Sequence, residues 1–303
     1  MHISLDSALG QQRRLNQVGE SITQIAPNPA AAYSLRSLTG GDPRAVRVRR
    51  SSDNSEQDFT VSEISAGALV DFVGSGNDGF VETWYDQSGN GNDLTQATAS
   101  KQPTIVTSGA INTRNSQPIV KFIQTNETHL EGVSSIFPTG TDIAMTVFHA
   151  MHVDTSSSNR IGLFGHKNAG NSPSTNKYLT GSGPNIKTVI KTKDASNTVV
   201  SLQSDAVTSN DSYAIITYLS SMSNGTVTHA VFNLGAQVGS TLTGSITDQS
   251  YESGNTTILG SRTTGDNFSD SEFFEVIVYA SDQLSNRNAI ESNLSNKYGI
   301  SLS

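Results

Sequence analysis

The run Trp84-Tyr85-Asp86-Gln87-Ser88-Gly89-Asn90-Gly91-Asn92-Asp93 decides how the chain is read. Two aromatic residues close a strand-like stretch, Phe80 to Tyr85, and the eight residues after them include two glycines and two asparagines. Such a composition does not continue a helix, because Gly and Asn favour the positive-φ and side-chain-bonded conformations of tight turns. A strand that runs into a tight loop is a unit of β architecture.

Working outward, ten further strand-like runs appear, among them Val46 to Arg50, Ile143 to Val153, Ser212 to Ser220, Thr256 to Leu259 and Glu272 to Tyr279. Around eleven strands separated by Gly/Asn/Ser turns suit a two-sheet jelly roll. Two helices interrupt them. Ser62 is placed to cap one carrying Ile64, Leu69, Val70 and Val73, and Ser285 to cap another carrying Ile290, Leu294 and Tyr298, stopped by Gly299. Before the strands, Ala8, Leu15 and Ile22 fall seven apart with Val18 and Ile25 interleaved, a short heptad stripe. It reads either as an arm for docking or oligomerisation or as a helix folded back on its own sandwich. Pro27 and Pro29 end it, which divides the chain into an arm, residues 1–29, and a sandwich, residues 30–303.

Only 15% of the 303 residues are charged, and Ser, Thr, Asn and Gly fill the difference. A net charge of −8 argues against nucleic acid and anionic membrane as partners, since both need a positive field. No cysteine is present, so stability comes from a packed core without disulfides or a thiolate zinc site. Residues 1–30 lack a signal peptide's apolar core, and no run reaches 18 apolar residues. The expectation is a soluble protein made in the cytoplasm, with no membrane insertion.

Together with Ala32-Tyr33-Ser34-Leu35-Arg36 and Val46-Arg47-Val48-Arg49-Arg50-Ser51-Ser52-Asp53-Asn54, the opening loop resembles the first third of the fungal α-L-arabinofuranosidase B catalytic domain. The same block resembles bacteriophage structural proteins of the concanavalin A-like, laminin-G-like jelly-roll type. Phe273 to Tyr279, followed by a helix and Asn296-Lys297-Tyr298-Gly299-Ile300, is similar to the closing strand and helix of laminin-G-like domains. The resemblance implies an all-β, concanavalin A-like jelly-roll β-sandwich with a short N-terminal arm and a C-terminal helix.

In the enzyme family a glutamate followed by asparagine is the nucleophile, and an aspartate in a Gly-Asp-Asn segment is the acid. Retaining hydrolysis needs that opposed carboxylate pair. Gly265-Asp266-Asn267, after Ile258-Leu259-Gly260, matches the second half and makes Asp266 the acid candidate. No Asp or Glu occurs between Asp154 and Asp194, where the nucleophile belongs, and the family's vicinal cysteines have no counterpart. Hydrolysis by this mechanism is therefore expected to be lost, unless Asp205, Asp211, Glu127 or Glu131 substitutes across the cleft.

Asp86 reads either as a sugar or calcium ligand at a loop mouth or as the acceptor of backbone N–H bonds that hold its own turn. Asp93, Asp266 and Asp270 are available to supplement a Ca2+ site, yet the spacing of a calcium loop is missing, and no cofactor is expected. Trp84 and Tyr85 are candidates for stacking on a sugar ring, with Asn90, Asn92, Asp266 and Asn267 bonding hydroxyls; for the aromatic pair the competing reading is core packing. Arg36, Arg44, Arg47, Arg49 and Arg50 read as a paired, solvated sheet face beside Asp53, Glu56 and Asp58, or as a subunit contact. His149 and His152 are not a metal pair, because residues three apart on a strand point to opposite faces. Gly74 to Gly79 spells GxGxxG but follows a helix and precedes a strand, so it is a turn.

The sequence thus points to a non-enzymatic bacteriophage virion component, a capsid decoration, tail accessory or fibre subunit. Other virion proteins, a second copy of the chain and host surface glycan are its expected partners. An arabinofuranosidase-like hydrolase and a free carbohydrate-binding module are the alternatives.

Overall fold

The structure, a computed structural model, describes residues 20–132, 136, 138, 140–153, 160–167, 178–182, 186–193, 199–208, 211–245, 256–261 and 268–303. In chain order the first half contributes α1 (Ile22–Ile25), β1 (Ala31–Ser34), β2 (Arg44–Arg50), β3 (Glu56–Thr60), α2 (Val61–Ser65), α3 (Ala68–Val73), β4 (Gly79–Trp84), β5 (Leu94–Thr95), β6 (Thr104–Thr107) and β7 (Ala110–Ile111). The hairpin of β8 (Thr113–Arg114) and β9 (Gln117–Pro118) follows, then β10 (Val120–Phe122) and β11 (Leu130–Gly132). The second half supplies β12 (Ile143–Val153), β13 (Arg160–Lys167), β14 (Tyr178–Ser182), β15 (Ile186–Lys193), β16 (Val199–Thr208), β17 (Ser212–Ser223) and β18 (Thr226–Asn233). It ends with β19 (Ala236–Gln237), β20 (Leu242–Ser245), β21 (Thr256–Leu259), β22 (Ser271–Tyr279) and α4 (Arg287–Tyr298).

β22 is the organising strand. One edge pairs with β12, while the other pairs with β10 near its start and with β1 near its end. Beyond β12 the ladder continues through β17 and β18 to β19 and β20. A second ladder runs β3–β2–β4–β5–β11–β21–β13–β14. β6 pairs with both β4 and β10, so eighteen strands form one continuous antiparallel network. Val46, Val48, Val81, Trp84 and Leu94 of the second ladder meet Val147, Met151, Val276 and Val278 of the first in a shared apolar core. This is a β-sandwich.

All nine residues of β22 are buried, because both of its faces are covered. On the outer face, Ala32, Phe148, Ile277 and Tyr279 pack with Ile22 of α1 and Ile290, Leu294 and Tyr298 of α4. Each such fully buried Ile or Leu contributes about 1.5–3 kcal/mol. The pairing of β22 with β12 slips once: Ala150 faces Glu275, and Met151 faces Phe273. Phe274 is therefore the extra residue of a β-bulge, and Phe274 and Glu275 both emerge on the α4 side. Alternation along β12 places His149 in the sandwich core and His152 on the outer face.

Several expected elements sit differently. The helix expected from Ser62 is two, α2 and α3, divided at Gly67, whose φ of 88° breaks the helical run. Its cap is Thr60: the Glu63 N–H donates to the Thr60 hydroxyl, and the Thr60 N–H donates to the Glu63 carboxylate. Ser62 instead donates to Asp42 through both its N–H and its hydroxyl. The last helix starts after Asn286 rather than Ser285, and Gly299, with φ 63°, ends it as expected. Residues 20–29 pack on the sandwich, in keeping with the folded-back alternative for this segment: Ile22 and Ala26 are buried, and the Tyr279 hydroxyl donates to the Ala26 carbonyl at 2.9 Å. The rest of the heptad stripe, residues 1–19, lies outside the described residues. Among the described residues no helix is long and apolar enough to cross a membrane.

Candidate functional site

Asp86 leaves the end of β4 and gathers the loop around its carboxylate. One oxygen accepts from Ala32 N (2.9 Å) and Ser88 N (2.8 Å), and the other from Asn92 N (3.0 Å) and the Ser88 hydroxyl (2.6 Å). The Asp86 N–H in turn donates to Asp93 at 2.8 Å. The Asn90 and Asn92 amides both donate to the Ala30 carbonyl, at 3.2 and 2.9 Å. Gln87 donates to the carbonyls of Ser34 and Arg36 and accepts from Leu38 N. The loop's polar side chains thus tie the chain before and after β1 to the end of β4.

Trp84 has no exposed surface, and its ring lies 6.1 Å from that of Tyr33. A sugar ring has no access to it. Tyr85 is half-buried on the opposite side, where its hydroxyl donates to Asp58 at 2.7 Å and the Arg44 guanidinium sits 4.4 Å from its ring centroid. Burial, then the Asp58 carboxylate, push the Tyr85 hydroxyl up to about 12. Arg47 pairs with Glu56 and Asp58, each at 3.0 Å, and Arg50 with Asp53 at 2.6 Å, so these members of the basic cluster form a paired sheet face. Arg36 instead reaches under α4. It contacts Glu275 twice, at 2.7 and 3.1 Å, and Asn293 at 2.6 Å, while the Tyr298 hydroxyl donates to the same carboxylate at 2.6 Å.

On the outer face a groove of about 530 Å³ follows the strands. Its floor is a cross-strand row: Phe80 of β4 faces Thr104 of β6, Thr104 faces Lys121 of β10, and Lys121 faces Glu272 of β22. The row continues past the groove to His152 and Tyr213. Directly opposed residues share a face, so one line of side chains crosses six strands. Asp78, Asn112, Thr113, Arg114, Ile123 and Asn126 also line the groove.

Glu272 holds this site's charge. It is 2% exposed and accepts from Arg114 at 2.6 and 3.0 Å and from His152 at 2.9 Å, and Lys121 lies 3.1 Å away. Burial alone pushes the carboxyl up, but the bonds from His152, Arg114 and Lys121 outweigh it and hold the group at about 2. It is therefore ionised through the neutral range and has no proton to give as a general acid.

Asp266 and Asn267 lie outside the described residues. Of the other possible calcium ligands, Asp86 and Asp93 are engaged with backbone N–H groups, and Asp270 accepts from Gln124 N at 2.8 Å. Among the described residues no group of three or more His, Asp or Glu gathers as a metal site. Sequence reading missed Glu272, Arg114 and Lys121 as a group, since they are separated by up to 158 positions. The available signal was a glutamate on each side of Phe273-Phe274 in an apolar strand, because carboxylates are rarely buried without partners.

The geometry defines a β-sandwich with a rigid polar loop at one strand end and a charge-balanced groove on its outer face. No protein-family model matches the chain, and no curated protein matches it. Among solved structures it is similar to a GH54 α-L-arabinofuranosidase soaked with a cyclic sulfate inhibitor, with a TM-score of 0.58 and 18% identity, covering 91% of this chain and 66% of that one. It is also similar to an arabinofuranosidase complexed with arabinofuranosyl-α-1,2-xylobiose, with a TM-score of 0.52 and 18% identity, covering 91% of this chain and 65% of that one. The chain thus spans about two thirds of those proteins' length, and at this identity the likeness establishes the sandwich fold.

Proposed function

We propose that the protein is a carbohydrate-contacting β-sandwich that binds without hydrolysing, carried in a bacteriophage virion as a capsid decoration, tail accessory or fibre subunit. The observation that supports the carbohydrate reading is the likeness, over 91% of the chain, to arabinofuranosidases, one of them complexed with a substituted xylobiose. Against turnover stands the sequence between Asp154 and Asp194, which offers no carboxylate to attack an anomeric carbon. The virion placement rests on the resemblance of the Ala32 to Asp93 block to phage structural proteins, with residues 1–19 as the segment that meets other virion proteins or a second copy.

Two measurements test this reading. Mass spectrometry of gradient-purified particles should find the 32.1 kDa chain in fixed ratio to the major capsid protein; its absence from particles overturns the virion placement. Titration with oligosaccharides should saturate without product. Release of nitrophenol from 4-nitrophenyl α-L-arabinofuranoside, abolished by Asp266→Asn, would instead establish the hydrolase reading, which the same fold likeness favours.

A further inference from the structure

We infer that the outer-face groove over β4, β6, β10 and β22 is where the protein holds a short, uncharged oligosaccharide, an assignment that rests on the carbohydrate reading above and locates it. Sugars are recognised by hydroxyl and amide groups at fixed spacing together with an apolar surface for the ring's C–H face. The groove presents both. Thr104 and Thr113 supply hydroxyls and Asn126 an amide, and the half-buried Phe80 ring, packed by the Arg49 guanidinium at 4.7 Å, supplies the apolar surface. Its volume of about 530 Å³ lies within the roughly 300–1,000 Å³ of ligand clefts.

Charge selects among saccharides. Two basic side chains, Arg114 and Lys121, and two acidic ones, Asp78 and Glu272, line the groove in equal number. Glu272 holds Arg114 by two hydrogen bonds and Lys121 at 3.1 Å, so both cations face a buried counter-charge and the groove offers no net field to an ionic ligand. A uronate carboxylate would compete with Glu272 for the same two cations, so its charge gains little in the groove. A neutral sugar uses the same groups as fixed donors, already oriented before it arrives.

The floor is also linear. Neighbouring strands lie about 4.8 Å apart, so the steps from Phe80 to Thr104, Lys121 and Glu272 place a new side chain at each strand along a line crossing the sheet. That arrangement suits an extended chain of a few rings.

The test is isothermal titration calorimetry of the full chain with arabinotriose, xylotriose and cellotriose, and with trigalacturonate as the charged comparison. Saturable binding to at least one neutral trisaccharide is expected, with affinity lost roughly tenfold in Phe80→Ala through removal of the stacking surface. Asn126→Arg, at an exposed rim position, should block the groove without touching the core, with the melting temperature confirming the fold of both variants. Neutral-sugar binding that survives both substitutions overturns the groove assignment and leaves the carbohydrate reading standing. Preference for trigalacturonate overturns the uncharged class. Failure of every sugar to bind overturns the carbohydrate reading and this assignment with it.

Discussion

Asp86 shows how one side chain sets a local structure. Its four accepted bonds link the loop's own backbone to Ala32 of β1, 54 positions earlier. Asp86→Ala leaves three backbone donors without that acceptor and should cost about 3 kcal/mol in urea denaturation, whereas a solvated ligand-only aspartate would cost almost nothing. Glu272 makes a pH-dependent contribution. Its folded value of about 2 lies below the ordinary 4.5, so its stabilisation is fully present above about pH 4.5 and is lost as pH falls towards 2. The full shift corresponds to about 3 kcal/mol. Denaturation midpoints of the wild-type chain should fall across that window, and Glu272→Gln should flatten that part of the profile while lowering stability at neutral pH.

At the scale of elements, α4 is held on the sheet by apolar contacts and by one buried ionic network that the β22 bulge makes possible. If Phe274 were paired in a regular ladder rather than bulged, alternation from Phe273 would aim Glu275 into the sandwich core instead of at Arg36 and Tyr298. Arg36→Met strands a carboxylate that is 0% exposed and should cost about 3–5 kcal/mol, measured by guanidinium denaturation. The double variant Arg36→Met/Glu275→Leu should recover a large part of that loss, because the penalty is chiefly that of the unpaired charge. Element reading from sequence succeeded where apolar runs were long: Ile143 to Val153 and Thr256 to Leu259 coincide with β12 and β21. It passed over β3, Glu-Gln-Asp-Phe-Thr, whose side chains are mostly polar and whose strand character comes from pairing with β2. It also joined α2 and α3 across Gly67, where periodicity alone gives no sign of the φ of 88°.

For the whole molecule, the division at residue 29 has a measurable consequence. Deleting residues 1–29 removes Ile22 and Ala26 from the core beneath α4 and should cost about 3 kcal/mol, seen as a lower melting temperature. Deleting residues 1–19 removes none of the described contacts, so the sandwich should keep its melting temperature and, under the proposed virion role, lose incorporation into particles. Equal destabilisation by the two deletions would show that residues 1–19 also stabilise the sandwich.

The Trp84 to Asp93 run, the strand alternation and the glycine stop at Gly299 are local features, and the sequence by itself determined the all-β class, the tight loop and the end of the last helix. Those outcomes depend on backbone conformation and on period, which neighbouring residues already specify. Burial is a different kind of property. Only tertiary structure decided that Trp84 lies in the core while Phe80, four residues earlier, faces the groove, because one bulge between Val81 and Thr83 shifts the register of β4 against β2. Only tertiary structure joined Glu272 to Arg114, Lys121 and His152, since that contact comes from strands brought side by side by long-range pairing rather than from any spacing along the chain.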